Sequence, residues 1–339
     1  MTRRRISLAL QGGGTHGAFT WGVLDRLLED GRFEIAAISG TSAGALNGAA
    51  LKAGLVAGGV AGARERLARL WKMIVDIGDF RSVPWLQPIL PAVRFWKDIG
   101  ETVLPVSMGG IAAQMFTPYD WGALWENPLE PAVRDLDFTH VCAGEGPELH
   151  VGATNVRTGK VHVFHGREIT PEALLASACL PTIFQAIEID GEAYWDGGFA
   201  GNPSLWPLYH ANLPDDIVIV QVNPLRREAL PRSPLEIQDR MNEIGFNTAL
   251  LSELRAIAFV KRLIAEGRIE EGKMKDVRVH MIHDAELVNS LTASSKLEPG
   301  EVLIDRLFQA GRASAGAFLE RDAPKVGKSA TVDLVHLFG

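Results

Sequence analysis

The chain has 339 residues, 47% of them hydrophobic and 22% charged, which suits one large α/β unit and argues against disorder. A net charge of −7 argues against nucleic acid as a partner, because phosphate binding needs a basic surface, but it leaves apolar contact with lipid open. Two cysteines, Cys142 and Cys179, are too few for a disulfide framework and read as free thiols of a reducing compartment.

Arg3-Arg4-Arg5 precedes an apolar run that stops at Gln11, too short for an export signal. Residues 6–10 read as a buried strand ended by Gly12-Gly13-Gly14, and Ala18, Val23, Leu24, Leu27 and Leu28 then recur at helical spacing up to Gly31. Residues 33–39 read as a second strand, followed from Ala43 by a helix of small residues that continues over 60–77. The stretch 43–63 is too interrupted by Asn47, Lys52 and glycines to span a membrane, so a cytoplasmic protein is expected. Residues 80–126 form an irregular, proline-rich zone holding Trp85, Trp96, Trp121 and Trp125. Residues 149–155 and 160–165 alternate like the arms of a hairpin around Arg157-Thr158-Gly159. Thr170-Pro171-Glu172 opens a short helix, and the strand-like Ala193-Tyr194-Trp195 delivers Asp196 onto Gly197-Gly198.

Residues 217–222 read as a strong buried strand. Ser233-Pro234-Leu235-Glu236 is a capping box, behind which Ile237, Met241, Ile244, Leu251, Leu254 and Ala258 form one stripe of a long helix reaching Glu266-Gly267. A further strand over 277–282 and a last helix over 299–319 complete the chain. The strand, Gly turn, helix rhythm predicts a three-layer α/β/α architecture with a mostly parallel central sheet. Residues 226–339 are expected to form a helical extension packed on a core of residues 1–225.

Gly40-Thr41-Ser42-Ala43-Gly44 has the G-x-S-x-G form of a nucleophile elbow, with a strand before it and a helix after it. Such a turn exposes the Ser42 hydroxyl at a helix N-terminus, while Gly40 and Gly44 let neighbouring backbone approach. Acyl transfer also needs backbone donors aimed at an oxyanion, and Gly12, Gly13 and Gly14 are suited to supply them. Gly12, Gly14 and Gly17 match a dinucleotide fingerprint too, but the next strand ends in the elbow where that motif expects an acidic residue, so no nucleotide cofactor is expected. His210, His280, His283 and His336 follow Asp196, none in a distinctive context. Asp196-Gly197-Gly198 is either a site element or an ordinary Asp-Gly turn.

Taken together in this order, the glycine loop, the G-T-S-A-G elbow and the D-G-G sequence resemble the patatin-like phospholipases. Leu174 to Pro181 also resembles that family's approach to its aspartate, and the likeness covers roughly residues 6–222. The resemblance implies a lipid acyl hydrolase of phospholipase A, lysophospholipase or carboxylesterase type. Ser42 and Asp196 would be a catalytic dyad acting through an acyl-serine, with no catalytic histidine, metal or cofactor. It further implies that burial raises the Asp196 pKa. Where the family has Arg or Lys in the oxyanion loop this chain has His16, which leaves open a fixed charge, a pH-sensitive charge, a base or a structural role at that position. The apolar segment Val83, Trp85, Leu86, Ile89, Leu90, Val93, Phe95, Trp96 reads equally as a lid and as a packed loop. A phospholipid or other acyl ester, peripheral membrane contact and a homodimer are the partners this reading admits. The competing readings are an acyltransferase using the same site and a catalytically weak, lipid-binding regulatory protein.

Overall fold

The structure, a computed structural model, describes residues 3–78, 117–120, 126–270, 272–291, 294–297 and 299–338. The segment 83–96, read above as lid or packed loop, lies outside the described residues, as do Trp121 and Trp125.

Among the described residues eight strands form one sheet: β1 (Arg4–Leu10), β2 (Phe33–Thr41), β3 (Glu148–Asn155), β4 (Val161–His165), β5 (Ile187–Ile189), β6 (Glu192–Asp196), β7 (Asp216–Val220) and β8 (Arg278–Ile282). They run in the order β5-β6-β3-β2-β1-β7-β8, with β4 paired to β3. The pairs from β3 through β2, β1 and β7 to β8 are all parallel, whereas β4, β5 and β6 join antiparallel at one end.

Side chains alternate across the strands, and the two faces bury different partners. Ile6, Leu8 and Leu10 of β1, with Val218 and Val220 of β7, face α1 (Gly17–Asp30), α2 (Ala43–Ile77), α3 (Pro171–Ser177) and, from late in the chain, Ile304, Leu307 and Phe318. Ala9, Ile217 and Ile219 face the other way, onto Leu205, Leu208, Leu250, Leu254 and Ile257. This is the expected three-layer arrangement. The strand over 278–282 extends the main sheet, so the C-terminal region contributes to the sheet as well as to its helical cover.

Local signals set many boundaries. Gly31 ends α1 in a left-handed conformation at φ 72°, with its N–H bonded to Leu27 O. Thr170 Oγ1 accepts from Ala173 N at 3.2 Å to start α3. The α4 helix (Pro234–Ala265) begins with the reciprocal cap: Ser233 Oγ accepts from Glu236 N at 3.2 Å, and Glu236 Oε2 from Ser233 N at 3.0 Å.

Two expectations needed adjusting. The helix from Ala43 is interrupted at Gly58-Gly59, whose backbone is not helical; two adjacent glycines give that conformation little resistance. The apolar stripe of α4 is not buried along its whole length. Ile237, Met241 and Ile244 are exposed, whereas Leu250, Leu254 and Ile257 pack on the sheet. Cys142 and Cys179 are free thiols. No helix among the described residues is long and apolar enough to cross a membrane.

Candidate active site

Asp196 stands beside Ser42 because both strands that carry them end on the same edge of β3. The β3 residues His150 to Gly152 pair with β2 on one side while β4 holds the other. Ala153 to Asn155 pair on the β2 side with β6 instead, so Thr41 lies opposite Gly152 and Asp196 opposite the next residue, Ala153. One strand thus aligns two chain ends that are far apart in sequence.

Ser42 follows Thr41 in a strained backbone conformation, φ 54° and ψ −125°, one of two non-glycine residues with positive φ among those described. Such geometry costs on the order of 1–3 kcal/mol and needs surrounding support. Ser177 Oγ accepts from Ser42 N at 2.9 Å and donates to Gly152 O at 2.6 Å, while Thr41 Oγ1 donates to Gly201 O at 2.7 Å. Gly40 and Gly44 allow the turn to close: a Cβ at Gly40 would lie 2.7 Å from Gly44 O, and one at Gly44 would run into the Leu10 carbonyl.

Asp196 is 1% exposed. Its N–H donates to Cys179 O at 2.8 Å, its carbonyl accepts from Thr154 Oγ1 at 2.9 Å, and its Oδ1 accepts from Gly198 N at 2.7 Å. Burial raises its pKa to about 6, although the Gly198 N–H, the Ser42 side chain and Lys296 all favour the ionised form. The Ser42 side chain therefore acts on a carboxyl poised near neutrality. The downstream histidines hold other positions; His280, for instance, bonds Asp216 and Thr331.

The glycine turn after β1 is held by amide side chains. Gln11 Oε1 accepts from Val222 N at 2.9 Å and Asn223 N at 3.0 Å, and Gln11 Nε2 donates to Asn247 Oδ1 at 3.1 Å. Asn202 Oδ1 accepts from Gly12 N at 2.6 Å, and Gly12 O accepts from Asn223 Nδ2 at 2.7 Å. The Gly12 N–H is thereby engaged, which narrows the expected trio of anion donors: among the described residues nothing takes the N–H of Gly13 or Gly14. Gly12 still has a steric role, because a Cβ there would lie 2.7 Å from Ser42 Cβ.

His16 is buried, with Nε2 2.7 Å from Ser295 Oγ. Burial lowers its pKa to about 3, helped by the positive charges of Lys296 and Arg227. Of the four possibilities left open for position 16, a pKa of about 3 disfavours a cation and makes the imidazole a weak base at neutral pH. Lys296 puts a positive charge near it. Sequence reading did not single it out, since Ser294-Ser295-Lys296-Leu297 carries no motif.

Beside Ser42 lies a cavity of about 50 Å³, room enough for water, walled by Leu46, Trp71, Leu129, Leu180 and Phe184, with Gly14 and Lys296 also in its lining. Among the described residues no cluster of His, Cys, Asp and Glu is placed to hold a metal ion.

In sequence, no curated protein matches the chain. Among solved structures it is similar to VipD from Legionella pneumophila at 14% identity, covering 94% of this chain and 67% of that one with a TM-score of 0.42. It is similar to ExoU of Pseudomonas aeruginosa, solved in complex with SpcU, at 14% identity over 94% of this chain and 54% of that one, TM-score 0.33. It is also similar to human GIVD cytosolic phospholipase A2 in complex with methyl gamma-linolenyl fluorophosphonate, at 12% identity over 92% and 59% of the two chains, TM-score 0.33. The chain thus spans between about half and two thirds of the length of these proteins. The sequence profile of the patatin-like phospholipases matches residues 8–209, more than half of the chain and a span that includes the glycine turn, Ser42 and Asp196. The chain belongs to the patatin-like phospholipase family.

Proposed function

We propose that the chain hydrolyses acyl esters of lipids through a Ser42–Asp196 dyad. The observation that carries this reading is the meeting of a positive-φ serine with a buried aspartate whose pKa is raised to about 6. At neutral pH most of that carboxyl is ionised, yet it is basic enough to take a proton as a bond forms. Asp196 accepts the Ser42 proton while Oγ attacks the ester carbon, and the carbonyl electron pair moves onto oxygen. Gly13 and Gly14 offer their N–H groups to that oxyanion. Collapse breaks the bond to the leaving alcohol, which receives the proton from Asp196 and leaves an acyl-Ser42. Water activated by Asp196 then attacks the acyl carbon, and Ser42 regains its proton.

The apolar lining of the cavity beside Ser42 supports contact with the first carbons of an acyl group, and family membership supports phospholipid as the substrate class. Fluorophosphonate labelling and turnover of a chromogenic acyl ester test the assignment. Wild type is expected to label and turn over; Ser42→Ala should do neither, and Asp196→Asn should lose turnover. Label on Ser42→Ala would overturn the nucleophile, and full turnover by Asp196→Asn would overturn the dyad.

A further inference from the structure

A serine–carboxylate pair handles charge differently from a serine–histidine pair. As the carboxylate takes the proton it becomes neutral, while the carbonyl oxygen becomes anionic. The negative charge of the site moves rather than forms. One fixed cation near both positions favours the whole path, and in a buried, low-dielectric site its effect is large. The glycine turn supplies no such cation, because His16 is neutral.

We propose, building on the dyad reading, that Lys296 is the electrostatic anchor of the site: a positioning residue whose ammonium keeps Asp196 ionised before attack and faces the glycine turn during it. Lys296 shares the lining of the Ser42 cavity with Gly14 and Thr15. The residue as a whole is half-buried, while its ammonium lies deep in the protein. Its Nζ donates to Asn223 Oδ1 at 2.7 Å, and the Nδ2 of the same asparagine donates to Gly12 O at 2.7 Å. The backbone is fastened too: Thr15 Oγ1 donates to Lys296 O at 2.9 Å, and Ser295 Oγ lies 2.7 Å from His16 Nε2. A Cβ at Gly14 would run into the Lys296 carbonyl, so the two turns lie in direct backbone contact.

On the other side, Nζ sits 5.7 Å above the centre of the Phe246 ring, and a Cβ at Gly198 would run into that same ring. Lys296 therefore bridges the glycine turn and the Asp-Gly-Gly turn, the two elements between which charge would shift.

The groups facing Lys296 are Glu243 and Asp239 of α4, Arg227 of the loop after β7, and Asp196. Arg227 and Arg240 both pair with Glu243. Burial lowers the Lys296 pKa to about 8, against the carboxylates that raise it. Asp196 is faced by Ser42, Lys296 and Cys179, the thiol of which burial pushes up to about 12. Neither Cys179 nor His16 can then account for a titration near pH 8.

The test is the pH dependence of kcat/KM for a chromogenic acyl ester, measured on the full chain as wild type, Lys296→Met, Lys296→Arg and Ser42→Ala. Wild type should rise through a limb near pH 6 and fall through one near pH 8. In Lys296→Met the rising limb should move to higher pH, because Asp196 has lost its cation, and the falling limb should vanish. Activity on the remaining plateau should drop by about 100- to 1000-fold, as when an oxyanion donor is lost. Lys296→Arg should keep the rising limb and lose only the falling one, since guanidinium stays charged. Coincident wild-type and Lys296→Met profiles would overturn the role of Lys296 and leave the dyad standing. Full activity in Ser42→Ala would instead bring down the dyad, and the Lys296 role with it. Should both Lys296 variants fail to fold, wild type still decides. An ammonium limb moves to lower pH on warming, and a limb near pH 8 that is absent or insensitive to temperature overturns the proposal.

Discussion

Asp196 and Asp216 are both buried, both sit at an end of a strand in the same sheet, and titrate in opposite directions. Asp216 opens β7 with its two oxygens fully used: Arg278 reaches Oδ2 at 2.8 Å, and His280 Nε2 and Gly327 N each lie 2.9 Å from Oδ1. Burial alone would raise its pKa, but the bonds from His280, Arg278 and the Gly327 N–H hold it well below the usual carboxylate range. Asp196 closes β6 with one backbone N–H, the Ser42 hydroxyl and a cation that acts on it through space, and its pKa rises to about 6. Full compensation makes a carboxylate a structural tie. Partial compensation leaves one that can still accept a proton.

The largest effect expected from breaking this contrast is on turnover. Asp196→Asn should lower kcat/KM by about 10³-fold or more, as loss of a catalytic base does, whereas Asp216→Asn should leave the activity per folded molecule intact. Assays normalised to circular dichroism would check both. Next in size is stability. Asp216→Asn leaves Arg278 and His280 without their carboxylate and should cost about 3 kcal/mol in chemical denaturation. Asp196→Asn should do the reverse and stabilise the fold at neutral pH by up to about 3 kcal/mol, the cost of ionising a carboxyl whose native pKa lies about two units above its unfolded value.

The smallest and sharpest test is how these differences vary with pH. Asp196 has a native pKa above the unfolded value of about 3.9, so its contribution to stability is full below pH 4 and lost as pH rises toward about 6. The advantage of Asp196→Asn should therefore shrink on acidification from about pH 6 to about pH 4. Asp216 is depressed, so its contribution is full above about pH 4 and lost only below it, and the deficit of Asp216→Asn should persist down to that point. Thermal melts across the range would separate the two. A deficit for Asp196→Asn at pH 7 would remove the contrast altogether.

Much of the site was legible because its backbone demands particular residues. Gly12, Gly40 and Gly44 occupy positions where a side chain would collide with the Ser42 turn or with neighbouring backbone, and that constraint shows in the sequence as a pattern. Long-range side-chain chemistry leaves no such trace. The amides of Asn202 and Asn223, which clamp Gly12, lie far from it in the chain and belong to no motif. The inward turn of Lys296 is equally silent, since nothing local distinguishes it from a solvated lysine. In the fold, caps and strand alternation set the boundaries well. The stripe of α4 mispredicted burial because periodicity reports an apolar face and not what lies opposite: Met241 is 67% exposed while Leu254 is fully covered.

The shared edge of β3 bears on when this protein can first act. The elbow at Ser42 can form as soon as β1 and β2 have pieces to pair with. Its neighbour on that edge, Asp196, is placed only when β6 docks onto the second half of β3. Lys296 arrives later still, after β8 has joined the far side of the sheet. Chain emerges from synthesis in that order, and contacts between distant segments close slowly. A growing chain would carry its serine long before its carboxylate, and both before its cation. Under the proposed chemistry, turnover then serves as a clock on the last stages of assembly, weak until the C-terminal region has found its place.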